Sequence, residues 1–383
     1  MKYIYLDHNA TTPLHPDVLA AMLPFFAEKF ANPASITHPP GREARDMVEQ
    51  ARGEIAAFIG AEPAEVVFTS GATEADNMAL KGAAWAHRDR GDHIVASAIE
   101  HKAVLDSCRW LEKNGFRLTV LPVDRWGLVG PDDVDRAITD RTILVSVMHA
   151  NSEVGTVQPV EEIARICRQR GVLYHCDATQ TVGKIPFHAS AIGCDLAAFS
   201  GHKFYGPKGI GGLFVRRRVR LDPLMTGGGQ EKGRRSGTVN VPGVIGLAEA
   251  CRIARRDMDL ESARLLALRQ RLHDGIVATV EGTHLNGHPV RRLPNNLNFS
   301  FEAIEGEALI LAMRSVALSS GSACTSGESG PSYVLKAMGV PDDLAHSSLR
   351  FGLGRSNDAD EIDAVVTSLG AAVRKLRAMS PKV

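Results

Sequence analysis

The chain has 383 residues, with 44 Lys and Arg balanced by 44 Asp and Glu. This length is too great for one small domain and predicts two domains sharing a cleft, while the balanced charge excludes a dedicated nucleic-acid binder with a global basic footprint. The opening "MKYIYLDHNATTPLHP" lacks the apolar core of a secretory signal, and no run of about 18 apolar residues is present to cross a bilayer, so the expected protein is cytoplasmic, without membrane or direct nucleic-acid partners. Cysteines at 108, 167, 176, 194, 251 and 324 form no CxxC pair and no repeated spacing, which signals neither a zinc site nor a disulfide framework.

From about residue 45 to 215 apolar, β-branched runs alternate with amphipathic stretches. "EVVFTS" predicts a strand, "TEADNMALKGAAWAHRDRG" a helix, and "HIVASA", "LTVLPV", "TILVSVMHA", "GVLYHCDA" and "LAAFSG" further strands. Unbroken apolar strands separated by helices are what a mostly parallel sheet covered on both faces requires, so the fold class is α/β. "SGHKFYGPKGIGG" continues the last of these runs into a loop whose glycines permit close backbone approach, and "MTGGGQEKGRRSGT", 225–238, is a Gly-rich basic loop. From about 251 to 285 the chain turns helical and charged, and "NNLNFSF", "GEALILAMRS" and "SLRFGLGR" precede a final amphipathic helix. This shift predicts a large domain over 16–250 and a smaller α+β domain from 1–15 and 251–383.

Ligands of parallel sheets gather outside the carboxyl ends of the strands, so the residues following each apolar run carry the functional signal. After "VVF" comes Thr69-Ser70-Gly71-Ala72-Thr73, a turn that opens a helix and aims N–H groups and hydroxyls at an anion such as a phosphate, although an ordinary helix cap has the same look. After "VLYHC" comes Asp177, whose buried charge needs a cationic partner. After "LAAF" come Ser200, His202 and Lys203. A strand-end lysine alone would pair with Asp177 or snorkel. Lysine, carboxylate and phosphate turn together are three of the groups that pyridoxal phosphate requires: an amine for the Schiff base, an acid for the pyridine nitrogen and an anion cradle. "IEHKAV" adds His101, either a flat partner for the ring or a surface residue at a helix start.

"YLDHNATTP", "NPAS", "TSGATEADNMALKG", "EHKAVL", "HCDATQTVGK", "SGHKFYGPKGIGGLFV", "RRSGT", "SSGSACTS" and "SLRFGLGR" occur in this order. Over nearly its whole length the chain resembles the pyridoxal-phosphate-dependent cysteine desulfurases of the class V aminotransferase superfamily, in particular the long-loop group serving iron–sulfur and other sulfur pathways. The resemblance implies a fold-type-I transferase in which Lys203 carries the cofactor and shuttles the substrate Cα proton. Asp177 would pair with the ring nitrogen, His101 would stack on the ring, and Gln180 would reach the ring oxygen. Ala72, Thr73, Ser200 and His202 would hold the phosphate, completed by Thr238 of a second copy in a homodimer. Arg350 and Asn32 would hold the carboxylate of L-cysteine, a role suited to the planar arginine fork. The family reads Asn-Asn-Glu where this chain reads Asn151-Ser152-Glu153, so at Ser152 either water bridges to the ring hydroxyl or the contact is lost.

The implied reaction yields L-alanine, with the sulfur captured as a persulfide on Cys324 and passed to an acceptor protein such as an iron–sulfur scaffold; tRNA thiolation and DNA phosphorothioation begin with the same chemistry. The stretch "SSGSACTSGESGPS", 319–332, reads as a mobile arm, its glycines giving freedom and Pro331 ending it before the helix of "SYVLKAMG". Two other readings are a class V aminotransferase or lyase with no covalent sulfur step, which has no need of Cys324, and a cofactor-free scaffold, which has no need of Lys203.

Overall fold

The computed structural model describes residues 3–320 and 330–379. A short strand, β1 (Ile4–Tyr5), opens the described chain. Each of the six apolar runs read above then forms a strand: β2 (Val66–Thr69), β3 (His93–Ser97), β4 (Arg117–Leu121), β5 (Thr142–Ser146), β6 (Leu173–Asp177) and β7 (Leu196–Ser200). With β8 (Gly211–Val215) they make a sheet in the order β2-β8-β7-β6-β5-β3-β4. The run from β7 through β6, β5 and β3 to β4 is parallel throughout. Alternate residues of its strands feed opposite cores, as a pleat with a period of two demands: Val95 and Phe199 enter the core on one face, Ile94 and Ala198 the core on the other.

β8 departs from the sequence reading, which ended the loop after β7 at Gly212. Gly211 and Gly212 instead open a strand antiparallel to both β7 and β2. Glycine is a poor strand former, and here it is required by space: a Cβ on Gly211 would lie 2.5 Å from the Phe199 carbonyl oxygen and 2.8 Å from the Gly71 Cα. The two glycines thereby let β8 slide against the turn that opens the Ala72–Ala86 helix.

A second, four-stranded sheet has the order β12-β13-β10-β9, from β9 (Thr283–Leu285), β10 (Asn296–Phe301), β12 (Ser319–Ser320) and β13 (Leu349–Gly352). Between them in sequence, β11 (Val316–Ala317) pairs in parallel with β1. A separate core covers this sheet and includes Leu6 from the start of the chain, Phe299 and Phe351 from the strands, and Val365 and Leu369 from the final helix, Ala359–Met379. One helix of 39 residues, Val241–Thr279, serves both cores. Its Val244, Leu247 and Cys251 pack under the large sheet, whereas Leu268, Leu272 and Ile276 pack under the small one. It begins ten residues before the expected helical segment, and position 250/251 lies inside it. The five described cysteines are unpaired and buried, and burial pushes the thiols of Cys108, Cys167 and Cys194 up to about 12.

The Gly-rich basic loop is pinned at two points. Glu231 accepts from both terminal nitrogens of Arg52 at 2.8 Å and from the Phe68 backbone N–H at 2.9 Å, with the Glu231 side chain 4% exposed. Arg235 donates to Glu74 at 2.8 Å, and Glu74 in turn accepts from the Ser70 N–H at 2.7 Å. The loop is thus tied to β2 and to the turn after it. Removing one partner of a buried pair leaves the other charge uncompensated. Glu231→Ala is therefore expected to lower unfolding stability by about 3 kcal/mol, the low end of the usual cost because Arg52 keeps Glu49, as measured by urea denaturation.

Candidate active site

The carboxyl ends of β2, β6 and β7 and the segments following β3 and β5 enclose a cavity of about 510 Å³. Ala72, Thr73, His101, Ser152, Asp177, Gln180, Ser200, His202 and Lys203 all line it. The strand-end rule therefore brings one set of groups together from five separate stretches of sequence.

At one end lies the first turn of the Ala72–Ala86 helix. Gly71 has φ +153°, a conformation that favours glycine, and the Thr69 hydroxyl donates to its carbonyl at 3.0 Å. Ser70 is already bonded to Glu74, but the N–H groups of Ala72 and Thr73 have no acceptor among the described residues. Two N–H donors at a helix start, with Ser200, His202 and Lys208 facing them across the cavity, are the donor set that a phosphate fits. His202 bonds the Thr11 hydroxyl through Nδ1 at 3.1 Å, and burial, reinforced by Lys203, Lys208 and Lys184, lowers its pKa to about 4, so it serves as a neutral ring.

At the other end stands Asp177, 6% exposed, with Oδ1 accepting from the Thr179 N–H at 2.9 Å. Among the described residues no cation pairs with it, although it lines the cavity. A protonated ring nitrogen would supply the missing charge. His101 begins the Lys102–Lys113 helix, and its Nδ1 accepts from the Ala103 N–H at 3.1 Å. That bond fixes the neutral tautomer with the proton on Nε2, and burial lowers the His101 pKa against the opposing pull of Asp177. The donor set and the orphaned carboxylate together fit pyridoxal phosphate, which would be bonded to Lys203.

Lys203 Nζ donates to the carbonyls of Asn9 and Ala10, each at 2.8 Å. Asn9 also accepts from Gln180 Nε2 at 3.0 Å through the same carbonyl, and its side chain donates to Gln180 Oε1 at 3.2 Å. Asn9 lay within a quoted motif, yet a polar residue beside a short strand carries no signature of this role. Behind Asp177, Asp76 and His175 approach to 3.4 Å and Ser146 bonds the other ring nitrogen of His175 at 2.9 Å. Burial, then Asp177 and Glu100, raise the Asp76 pKa well above the carboxylate range. Glu100 accepts from the Ser97 hydroxyl at 2.6 Å and from the Met148 N–H at 2.7 Å, which fixes two segments of the cavity wall. None of these acids is distinguishable in sequence from a surface residue of its helix or loop.

Three expected residues stand elsewhere. Arg350, 1% exposed, pairs with Asp7 at 2.7 Å and donates to the Ser152 carbonyl at 3.3 Å, so it adjoins the cavity wall at the residue that departs from the family pattern. Asn32 is exposed, accepts from the Ala34 N–H, and lines surface clefts with Arg52 and Glu231 or with Phe25 and Lys29. Thr238 is exposed on the pinned basic loop. Cys324 lies outside the described residues.

A mostly parallel sheet with lysine, acid and anion cradle at its carboxyl edge defines the class of pyridoxal-phosphate-type α/β transferases. The chain belongs to the aminotransferase class-V family, whose profile matches residues 4–365. It is 53% identical over 380 residues to the cysteine desulfurase IscS of Anaeromyxobacter dehalogenans (strain 2CP-C), covering 99% of this chain and 94% of that one. A solved NifS-like protein superposes with a TM-score of 0.91 at 38% identity, covering 97% of this chain and all of the other. The structure of SspA in complex with cysteine superposes with a TM-score of 0.82 at 36% identity, over 91% of this chain and 98% of that one.

Glu100 generates a pH prediction. Burial raises its pKa to about 8, outweighing the hydrogen bonds from Ser97 and Met148. A carboxyl whose folded-state pKa is raised contributes stability that is complete below the unfolded value and lost as pH rises through about 8. Glu100→Gln, which mimics the protonated acid, is expected to fold and to remove a loss on the order of a few kcal/mol between about pH 5 and 8.5, measured by urea unfolding at the two pH values.

Proposed function

We propose that this protein is a cysteine desulfurase that converts L-cysteine to L-alanine and holds the released sulfur as a persulfide on Cys324. The observation that carries the reading is the placing of Lys203, Asp177 and the unsatisfied Ala72 and Thr73 N–H groups around one cavity. The 53% identity to a named cysteine desulfurase over nearly the whole chain selects this chemistry within the family.

Bound pyridoxal phosphate supplies an electron sink conjugated to the substrate carbons. Lys203 holds it covalently and moves the Cα proton, guided by the Asn9 and Ala10 carbonyls that hold its amine between transfers. Asp177 keeps a proton on the ring nitrogen, Gln180 donates to the ring oxygen, and His101 covers one ring face with its Nε2 proton available. Ala72, Thr73, Ser200 and His202 hold the phosphate, and Thr238 of a second copy completes the cradle in a homodimer. Arg350, with Asn32, takes the substrate carboxylate. Ser152, shorter than the family asparagine, lines the same cavity, where either a water would bridge it to the ring oxygen or the contact is lost. The Cys324 thiolate attacks the substrate sulfur, the carbon–sulfur bond breaks, and its electron pair stays with the carbon that is then protonated to alanine.

The sulfur then passes to an acceptor protein such as an iron–sulfur scaffold. Residues 16–250 form the cofactor domain, and 1–15 with 251–383 the smaller domain that carries Cys324. Among the described residues no helix is long and apolar enough to cross a membrane; the proposed location is the cytoplasm.

The purified protein is expected to be yellow and to release alanine and, with a reductant, sulfide from cysteine in equal amounts. Cys324→Ala should keep the colour while sulfide release falls at least about 100-fold, and mass spectrometry after cysteine treatment without reductant should find one added sulfur on Cys324. Unchanged sulfide release in the variant would leave a lyase without a persulfide step; a colourless protein that binds no pyridoxal phosphate would sink the whole reading.

A further inference from the structure

Lys184, in the turn after β6, has no place in the roles described so far. Its Nζ donates to Gln180 Oε1 at 2.9 Å, and its own carbonyl accepts from the Ser262 hydroxyl of the long helix. Lys184 is half-buried and lines a small chamber that it shares with Lys203, His8, Tyr205, Glu261 and Arg355. Among the described residues it pairs with no carboxylate.

Two consequences follow from the bond to Gln180. A lysine only donates, so the amide must turn its oxygen toward Lys184 and its NH2 away. The Asn9 side chain reinforces this orientation, and is itself oriented by Asn296, which donates to Asn9 Oδ1 at 3.3 Å. One Gln180 N–H is spent on the Asn9 carbonyl at 3.0 Å, and the second is left for the cavity. Lys203 meanwhile lines both the cofactor cavity and the chamber, so Lys184 stands behind the amine that Asp177 and His101 face from the front.

We propose that Lys184 is a positioning residue of the reaction: its amine clamps the Gln180 amide with its NH2 toward the cofactor, so that Gln180 donates to the ring oxygen and thereby lowers the proton affinity of the nitrogen that joins Lys203 to the ring. The inference rests on reading Lys203 as the cofactor lysine. The other titratable groups lining the two cavities with Lys203 are His202 and Lys208 from its own loop, Asp177 from β6, His101, Glu74 and Asp76 from the Ala72–Ala86 helix, and His8 from the N-terminal segment; Glu261, Tyr205 and Arg355 line the chamber. Burial lowers the Lys184 pKa well below that of a free lysine, with Lys203 and then Arg350 adding to the effect, as two amines in one enclosed space should.

The test is the visible absorbance of the holoenzyme titrated with pH, which reads the proton on the nitrogen joining Lys203 to pyridoxal phosphate. In Lys184→Met and Lys184→Gln the released Gln180 amide favours the protonated nitrogen, so the midpoint is expected to rise by about one pH unit, a tenfold change in the proton equilibrium. Lys184→Arg, which keeps the charge and the donor, should stay near wild type. An unchanged or lowered midpoint in the Met and Gln variants, or an equal rise in the Arg variant, overturns the proposal while leaving the assignment of Lys203 standing. A wild-type protein with no titrating absorbance would overturn that assignment and this inference with it.

Discussion

Two main-chain carbonyls hold the amine of Lys203, and much of the architecture converges on that contact. Asn9 and Ala10 belong to the segment just after β1, which pairs with β11 and sends Leu6 into the core of the smaller sheet. Lys203 stands at the end of β7 in the larger one. The hydrogen bonds between them join the two halves of the molecule at the reacting nitrogen. Because the acceptors are carbonyl oxygens rather than carboxylates, they orient the amine without an opposing full charge that would favour its protonated form.

The electrostatics around that nitrogen are arranged by burial more than by pairing. His202 and His175 are driven toward neutrality by desolvation, each to a pKa of about 4, while Asp76 and Glu100 are driven toward their protonated forms. A site crowded with ionisable side chains therefore presents few full charges. In such a low-dielectric setting each remaining charge acts over a longer range than it would in water.

The strand ends made the centre of the site legible in sequence, because a parallel sheet carries residues from distant stretches to one edge. Lys203, Asp177, His101 and the turn at Ala72–Thr73 were found in that way, and the six apolar runs fixed most of the large sheet. β8 was hidden because its first two residues are glycines selected by close contact with Phe199 and Gly71, so composition pointed to a loop. Asn9 and Lys184 were hidden for a different reason. Their roles are bonds to Gln180 and Lys203 across the fold, and nothing in their local sequence distinguishes them from solvent-facing polar residues. Asn32 and Thr238 line no part of the cavity within one chain.

The 39-residue helix from Val241 to Thr279 is one further feature with reach beyond its packing. At about 1.5 Å per residue it is a rod of roughly 58 Å, and no proline or glycine kink divides the stretch between its two sets of buried residues. The two sheets consequently share a spine. Severing the polypeptide at 250/251 would cut through hydrogen-bonded helix and separate Cys251, Ile253 and Ala254 from the rest of the large sheet's core, so the halves are not modules to be exchanged between relatives. Selection on either one is felt by the other through a single continuous element.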